Sequence, residues 1–259
     1  MVQKKYLGID VGASGIKGAI VDIKKGEVVS ERFRIPTPEP STPKAIAKAF
    51  VELVNQFDGE NKVIGCGFPS IIKNGIALSA ANIHKSWTGT DVEKLFSDAT
   101  GCQVSVKNDA DLAGIGEMKS GVGKDKKGTI LFITVGTGLG SALFVGGELV
   151  ANTELGHLYI KGHNKIAEQY AADSVRKRKG LSWKIWALRF NKYLAHIEKI
   201  FSPDLIIIGG GSSKKFELYE QYLSIQTPVM PAVLLNNAGI IGAAYYAYEV
   251  EKALEKSVR

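Results

Sequence analysis

The sequence predicts an α/β protein built from two similar domains that face each other across a cleft. Three observations carry that prediction. Strand-like runs of Val, Ile, Leu and Phe alternate with helical patterns along the chain. Ile9-Asp10-Val11-Gly12 aligns with Ile133-Thr134-Val135-Gly136, and each is followed by a small-residue turn, a strand and a hairpin. Glycine occurs 29 times, with runs at Gly136-Thr137-Gly138-Leu139-Gly140 and Gly209-Gly210-Gly211, which marks backbone that must approach something closely. Clefts between domains are where small ligands usually bind.

The elements follow in order. Residues 6–11 read as a buried strand, a Gly/Ser turn leads to a second strand at Ile16–Asp22, and Lys24-Lys25-Gly26 turns the chain into a third at Val28–Ile35. After a Pro-rich connector, Thr42-Pro43 starts a helix whose Ile46, Phe50, Leu53, Val54 and Phe57 share one face. A strand at Val63–Phe68, a helix over about Asp91–Thr100 ending at Gly101, and a strand at Gln103–Val106 complete the first half. In the second half, strands are expected at Thr129–Val135, Ser141–Val145 and Glu148–Val150. A long amphipathic helix follows near Ser182–Phe201, with Trp186, Phe190, Tyr193, Leu194, Ile197 and Phe201 on one face. Leu205–Ile208 is a strand, Gly209–Gly211 a tight turn before another helix, Val229–Leu235 a strand, and Ala238–Lys256 the closing helix. The expected domains are residues 1–109, with a C-terminal helix of about 245–259 returning to them, and residues 110–244.

No stretch reaches the roughly 18 apolar residues of a membrane span, and Met1–Lys5 leads directly into a strand without a signal peptide. Cys66 and Cys102 sit in apolar strand-like stretches, which argues against a disulfide framework and for a reducing cytoplasm. The formal net charge of +7 fits a solvated basic surface or an anionic partner. Nucleic acid is not expected, because no helix-turn-helix, zinc-knuckle or aromatic RNA-binding signature is present.

Four motifs bear chemistry. In Asp10-Val-Gly12-Ala-Ser14-Gly15-Ile-Lys17 a carboxylate ends a strand, a Gly-rich turn offers N–H groups to phosphate oxygens, and a lysine adds a point charge. Asp10 would hold, through water, the Mg²⁺ that accompanies a phosphate donor. An ordinary hairpin turn explains this motif equally well when it stands alone. Its counterpart, Val135-Gly136-Thr137-Gly138-Leu-Gly140, strengthens the phosphate reading, since two such loops at equivalent positions can clamp a phosphate chain. In Lys107-Asn108-Asp109-Ala-Asp111, capping accounts for Asn108 or Asp111, while Asp109 stands where a strand would deliver a general base. In Asn152-Thr-Glu154-Leu-Gly156-His157, a carboxylate and an imidazole suit vicinal sugar hydroxyls, and a loop histidine satisfied by a backbone carbonyl is the competing explanation.

In this order and spacing the motifs resemble the ROK family of sugar kinases, within the actin/hexokinase/Hsp70 fold group. The chain looks most like members that phosphorylate glucose from polyphosphate or ATP. The resemblance covers Gly8–Asp22, Ala80–Thr90 (with Asn82, Trp87 and Gly89), Val106–Gly123, Thr134–Leu143, Asn152–Leu158, Pro203–Gly211 and Thr227–Ala244. It implies a two-domain actin/hexokinase-like fold, the ribonuclease H-like unit duplicated, and transfer of a phosphoryl group to the C6 hydroxyl of glucose with Mg²⁺. It implies further that Asp109 is the catalytic base and that Asn82, Asn108, Glu154, His157 and Glu168 hold the sugar. Asp10, Gly12, Ser14, Gly15, Lys17, Gly136, Thr137, Gly138 and the turn Gly209-Gly210-Gly211 would hold the donor. A homodimer is implied as well.

One departure stands out. Many family members follow the Glu-x-Gly-His motif with cysteines that join the histidine to bind zinc. His157 is followed by no cysteine and only His163 lies nearby, so zinc is not expected. The basic runs Lys124-Asp-Lys126-Lys127 and Arg176-Lys177-Arg178-Lys179 fit solvated loops, or a positive rim that guides a long polyanion. An ATP-dependent hexokinase, a glucomannokinase and a sugar-sensing regulator remain as alternatives. The family's regulators carry an added N-terminal DNA-binding domain, whereas the first strand here begins at residue 6 and Asp109 is present.

Overall fold

The computed structural model describes residues 4–57 and 63–257. The first three residues and the last two, at the ends of the expected domain ranges, lie outside them. The chain forms two compact units, residues 1–120 with 236–259, and residues 121–235.

The first unit opens with the strands β1 (Lys5–Gly12), β2 (Gly15–Asp22), β3 (Glu27–Val28) and β4 (Phe33–Ile35). The single third strand expected at Val28–Ile35 is broken in two, because the Ser30 hydroxyl takes the Ile20 N–H at 2.9 Å in place of a backbone partner. Helix α1 (Pro43–Val54) starts where Thr42-Pro43 directs, with Thr42 as N-cap and proline in the first turn, where no N–H is needed. Next come β5 (Val63–Phe68), a small hairpin of β6 (Ile72–Lys73) and β7 (Ile76–Ala77), and α2 (Val92–Thr100). Asp91 caps α2, and Gly101 ends it in the left-handed region at φ 70°. Strand β8 (Gln103–Asn108) runs directly into α3 (Asp109–Ser120).

The second unit holds β9 (Thr129–Val135), β10 (Leu139–Val145), β11 (Glu148–Val150), the short helices α4 (Ala167–Ala171) and α5 (Asp173–Arg178), the long α6 (Trp183–Phe201), β12 (Leu205–Gly209) and β13 (Val229–Pro231). The helix expected after Gly211 is a 3₁₀ stretch, Gly211–Leu218, kinked at Lys215. The strand expected over Val229–Leu235 ends at Pro231, and the Ala232 N–H makes the last bond to β12, donating to the Ile208 carbonyl at 2.8 Å. The chain then returns to the first unit as α7 (Ala238–Ser257).

The two main sheets repeat one topology. Their strand orders, β3-β2-β1-β5-β8 and β11-β10-β9-β12-β13, correspond position by position, with an antiparallel meander followed by parallel strands. Asp10 and Thr134 occupy equivalent places, as the sequence alignment of the halves requires.

Close approach of backbone fixes where the units divide. A Cβ on Gly116 or Gly242 would strike the backbone of the facing helix, so α3 and α7 lie against each other without side chains between them. Gly8 and Gly65 admit the backbone of α7 at Ile240 and Ala243 in the same way. For that reason α3 stays with the first unit, and the boundaries fall at 120/121 and 235/236 instead of the expected 109/110 and 244/245. The first core gathers Leu7, Ile9, Ile64, Phe68, Trp87 and the stacked pair Phe50–Phe96. The second gathers Leu131, Ile133, Ile206, Ile208, Trp186 and Phe190.

Candidate active site

In the first unit, three parallel strands, β1, β5 and β8, deliver their carboxyl ends side by side. Ligands of α/β sheets bind beyond such ends. Asp10 lies near the end of β1, paired with Gly67 of β5, and Gly67 pairs with Lys107 of β8. Asn108 and Asp109 follow at once. A Cβ on Gly67 would lie 3.6 Å from both the Asp10 Oδ1 and the Asp109 Cα, so the bare glycine brings the two acidic residues into one neighbourhood.

Asn108 does the capping left open between it and Asp111. Its Oδ1 accepts the N–H groups of Ala110 at 2.8 Å and Asp111 at 3.1 Å, and its Nδ2 donates to the Ser70 carbonyl at 3.1 Å. The second Nδ2 hydrogen has no partner among the described residues. Ser70 is fixed in turn by Ser79, whose carbonyl accepts its hydroxyl at 2.7 Å. Asp109, in the first turn of α3, accepts the Ala110 N–H at 2.9 Å. Asn82 is exposed, in a segment tied down where Trp87 Nε1 and the His84 N–H bond to Ser41.

The β1–β2 hairpin turns on Ala13-Ser14, with Gly12 paired to Gly15. Arg34, which no local pattern marked, reaches across from β4 so that its Nη2 donates to the Ser14 carbonyl at 2.5 Å. Its guanidinium lies where a Cβ on Gly15 would be. Thr37 donates to the Gly12 carbonyl at 2.6 Å. Lys17 Nζ stands 3.7 Å from Asp10 Oδ2. Burial raises the Asp10 carboxyl above its usual range, and the Lys17 ammonium opposes that rise. One oxygen-bearing carboxylate at a strand end fits Mg²⁺, which keeps several of its waters. No group of three or more His, Cys, Asp or Glu among the described residues is arranged as a metal cage.

In the second unit, Gly136-Thr137-Gly138 joins β9 to β10, and Gly209-Gly210-Gly211 begins at the last residue of β12, the strand paired with β9. Gly210 has φ 74°, and a Cβ there would strike Val135. The adjacent Ser212 hydroxyl is buried without a hydrogen-bond partner among the described residues. Glu154 precedes and His157 ends a 3₁₀ turn, Leu155–His157, with His157 Nδ1 3.9 Å from Glu154 Oε2. A Cβ on Gly156 would strike the Leu139 carbonyl, so the glycine seats this turn against the strand that follows the Gly136–Gly138 loop. Burial raises the Glu154 carboxyl; His157 opposes the shift and Glu168 adds to it. The Glu168 Oε2 accepts the Leu139 N–H at 2.9 Å. His163 packs against Tyr170 with the rings tilted by 37° and their centroids 4.2 Å apart.

The basic run is not uniform. Asp173 receives Arg176 Nε at 2.6 Å and Lys177 Nζ at 2.9 Å, and the Arg176 guanidinium lies 3.8 Å from the centroid of Trp183. Arg178 and Lys179 are exposed.

Comparison with known proteins agrees with this geometry. The family model described as "ROK family" matches residues 6–172. A polyphosphate glucokinase from Mycobacterium tuberculosis (strain CDC 1551 / Oshkosh) is 43% identical over 243 residues, 93% of this chain and 91% of that protein. The crystal structure of an inorganic polyphosphate/ATP-glucomannokinase from Arthrobacter sp. strain KM is 46% identical, covers 95% of this chain and 98% of its own, and superposes with a TM-score of 0.89. A ROK glucokinase from Streptomyces griseus, solved with glucose and AMPPNP, shares the fold at 23% identity and a TM-score of 0.81. The duplicated actin/hexokinase-like sheets, the glycine loops at equivalent strand ends and this similarity along nearly the whole length place the chain in the ROK family.

Proposed function

We propose that the chain is a polyphosphate/ATP-dependent glucokinase, transferring a phosphoryl group from inorganic polyphosphate, and from ATP, to the C6 hydroxyl of glucose. The observation that carries this is the 43% identity with polyphosphate glucokinase along 93% of the chain, together with Asp109 at the carboxyl end of β8.

In this reaction Asp109 accepts the proton of the attacking hydroxyl. Asn82, the remaining Nδ2 hydrogen of Asn108, Glu154, His157 and Glu168 orient the sugar hydroxyls. Backbone N–H groups of the turns at Gly12–Gly15, Gly136–Gly138 and Gly209–Gly211, with Lys17, hold the donor in line. Mg²⁺, when bound, neutralises charge on the donor oxygens, and Asp10 would hold it through water. Cys66 and Cys102, both free thiols, fit a cytoplasmic protein. No helix among the described residues is long and apolar enough to cross a membrane. Exposed Ile185, Leu188 and Ile200 on α6 support a homodimer, which light scattering at micromolar concentration checks.

The experiment that tests the proposal crosses long-chain polyphosphate and ATP with glucose, mannose and other hexoses, each with Mg²⁺ and with EDTA. Glucose 6-phosphate formed from polyphosphate, and lost with EDTA, is the expected result. Activity with ATP alone would leave an ATP hexokinase, and comparable rates with mannose a glucomannokinase. The active protein is expected to contain no zinc, and elemental analysis finding one zinc per chain would contradict that.

A further inference from the structure

Gly136-Thr137-Gly138 carries two glycines, and its chemistry depends on which way its peptide groups point, since N–H groups attract phosphate oxygens and carbonyls repel them. In the structure all three carbonyls are occupied. The Gly138 carbonyl accepts the Gly136 N–H at 3.0 Å within the loop. The other two both go to Ser174, in the first turn of α5. Its N–H donates to the Gly136 carbonyl at 3.0 Å, and its hydroxyl donates to the Thr137 carbonyl at 2.6 Å. The N–H groups of Leu139 and Gly140 are also taken, by Glu168 and by the Thr134 hydroxyl at 3.2 Å. What remains is two adjacent N–H groups, those of Thr137 and Gly138, without partners among the described residues. Two neighbouring free amides at a glycine turn form an anion-binding nest.

We propose that Ser174 is a positioning residue for the phosphate donor: by holding the Gly136 and Thr137 carbonyls it keeps the Thr137 and Gly138 N–H groups turned toward the donor's phosphates. α5 is anchored well enough for this. Asp173, beside Ser174, is clamped by Arg176 and Lys177, and Arg176 rests on Trp183 of α6. A glycine loop released from Ser174 samples many backbone states, and donor binding must then reorder it. The proposal rests on the loop being a donor site, as the proposed function has it.

Two measurements separate the two ideas. In the unaltered protein, the amide NMR resonances of Thr137 and Gly138 should shift on adding ATP or polyphosphate. If other resonances move and these two do not, the loop is not a donor site and the proposal falls with it. Ser174→Ala should raise KM for both donors by about 3- to 10-fold, the equivalent of one hydrogen bond, while KM for glucose and the melting temperature stay unchanged. Ser174→Thr, which keeps the hydroxyl, should restore the donor KM. An unchanged donor KM in Ser174→Ala, with the two amides responding normally, overturns the role of Ser174 and leaves the donor site standing. A fall in melting temperature with parallel rises in donor and glucose KM overturns it also, by showing a purely structural part.

Discussion

Glu168 occupies the space that a Cβ on Gly138 would fill, and its Oε2 accepts the Leu139 N–H at 2.9 Å. A residue expected to contact sugar therefore also braces the Gly136–Gly138 loop, and Gly138 has to be glycine for the carboxylate to arrive. Gly138→Ala should break this contact. A hydrogen bond to a charged group contributes about 1.5–3 kcal/mol, so kcat/KM for the donor should fall roughly 10- to 100-fold in protein that still folds by circular dichroism. Retention of activity within a factor of about two would show that the contact has no catalytic consequence.

Asp109→Asn should remove the base while preserving shape. Positioned bases contribute about 10²- to 10⁴-fold, so kcat should drop by that order while glucose affinity, measured by calorimetry, holds. A variant that keeps more than about a tenth of wild-type kcat would take the role of base away from Asp109.

Most of the fold was legible because it is written locally. Thr42-Pro43 and Gly101 mark helix ends through short-range chemistry and act as read, while Asp91 and Ser182, read as the first residues of their helices, cap them from one position before. The strand read across Val28–Ile35 failed because Ser30 competes through its side chain, which hydrophobic periodicity does not register. The domain boundary slipped because Gly116 and Gly242, far apart in sequence, permit a helix contact that only the folded chain reveals. The same holds at the site. Asp10, Asn108, Asp109, Glu154 and the glycine loops sit in motifs, whereas Arg34, Ser70 and Ser174 act on residues 20 or more positions away, with no local signature.

Glu154→Gln should stabilise the protein near neutral pH while weakening sugar binding. Burial raises the folded carboxyl above its ordinary value of 4.5, Glu168 adds to this and His157 opposes it. A carboxyl with a raised folded pKa stabilises the fold fully below its unfolded pKa, and that contribution is lost as pH rises through the folded one. The glutamine avoids the loss, so its melting temperature should exceed that of the wild type at pH 7 and converge with it below about pH 4. KM for glucose should rise about tenfold or more, through loss of a charged hydrogen-bond partner. A lower melting temperature at pH 7 would show that the Glu154 charge stabilises the fold.

The donor preference turns on how the basic run divides. Neutralising Arg176, Lys177, Arg178 and Lys179 together would confuse two roles, since the first two are bound to Asp173. Burial alone would raise the Asp173 carboxyl, but hydrogen bonds from Lys177 and Arg176 outweigh it and hold the group below its usual range. Arg176→Ala should therefore lower the melting temperature and, by loosening the helix that carries Ser174, weaken both donors alike. Arg178 and Lys179 are exposed on the far end of that helix and its cap. A polyphosphate chain continues past the transferred group with a charge on each phosphate, so it can reach cations that the three phosphates of ATP do not. Replacing Arg178 and Lys179 by serine should raise KM for long polyphosphate on the order of tenfold, at ~0.7 kcal/mol per surface cation, and leave KM for ATP nearly unchanged. In the wild type, KM for polyphosphate should climb more steeply with salt than KM for ATP, through screening and counterion release like that on nucleic acids. The double variant should flatten that difference. Equal effects on both donors would remove Arg178 and Lys179 from the polyphosphate path.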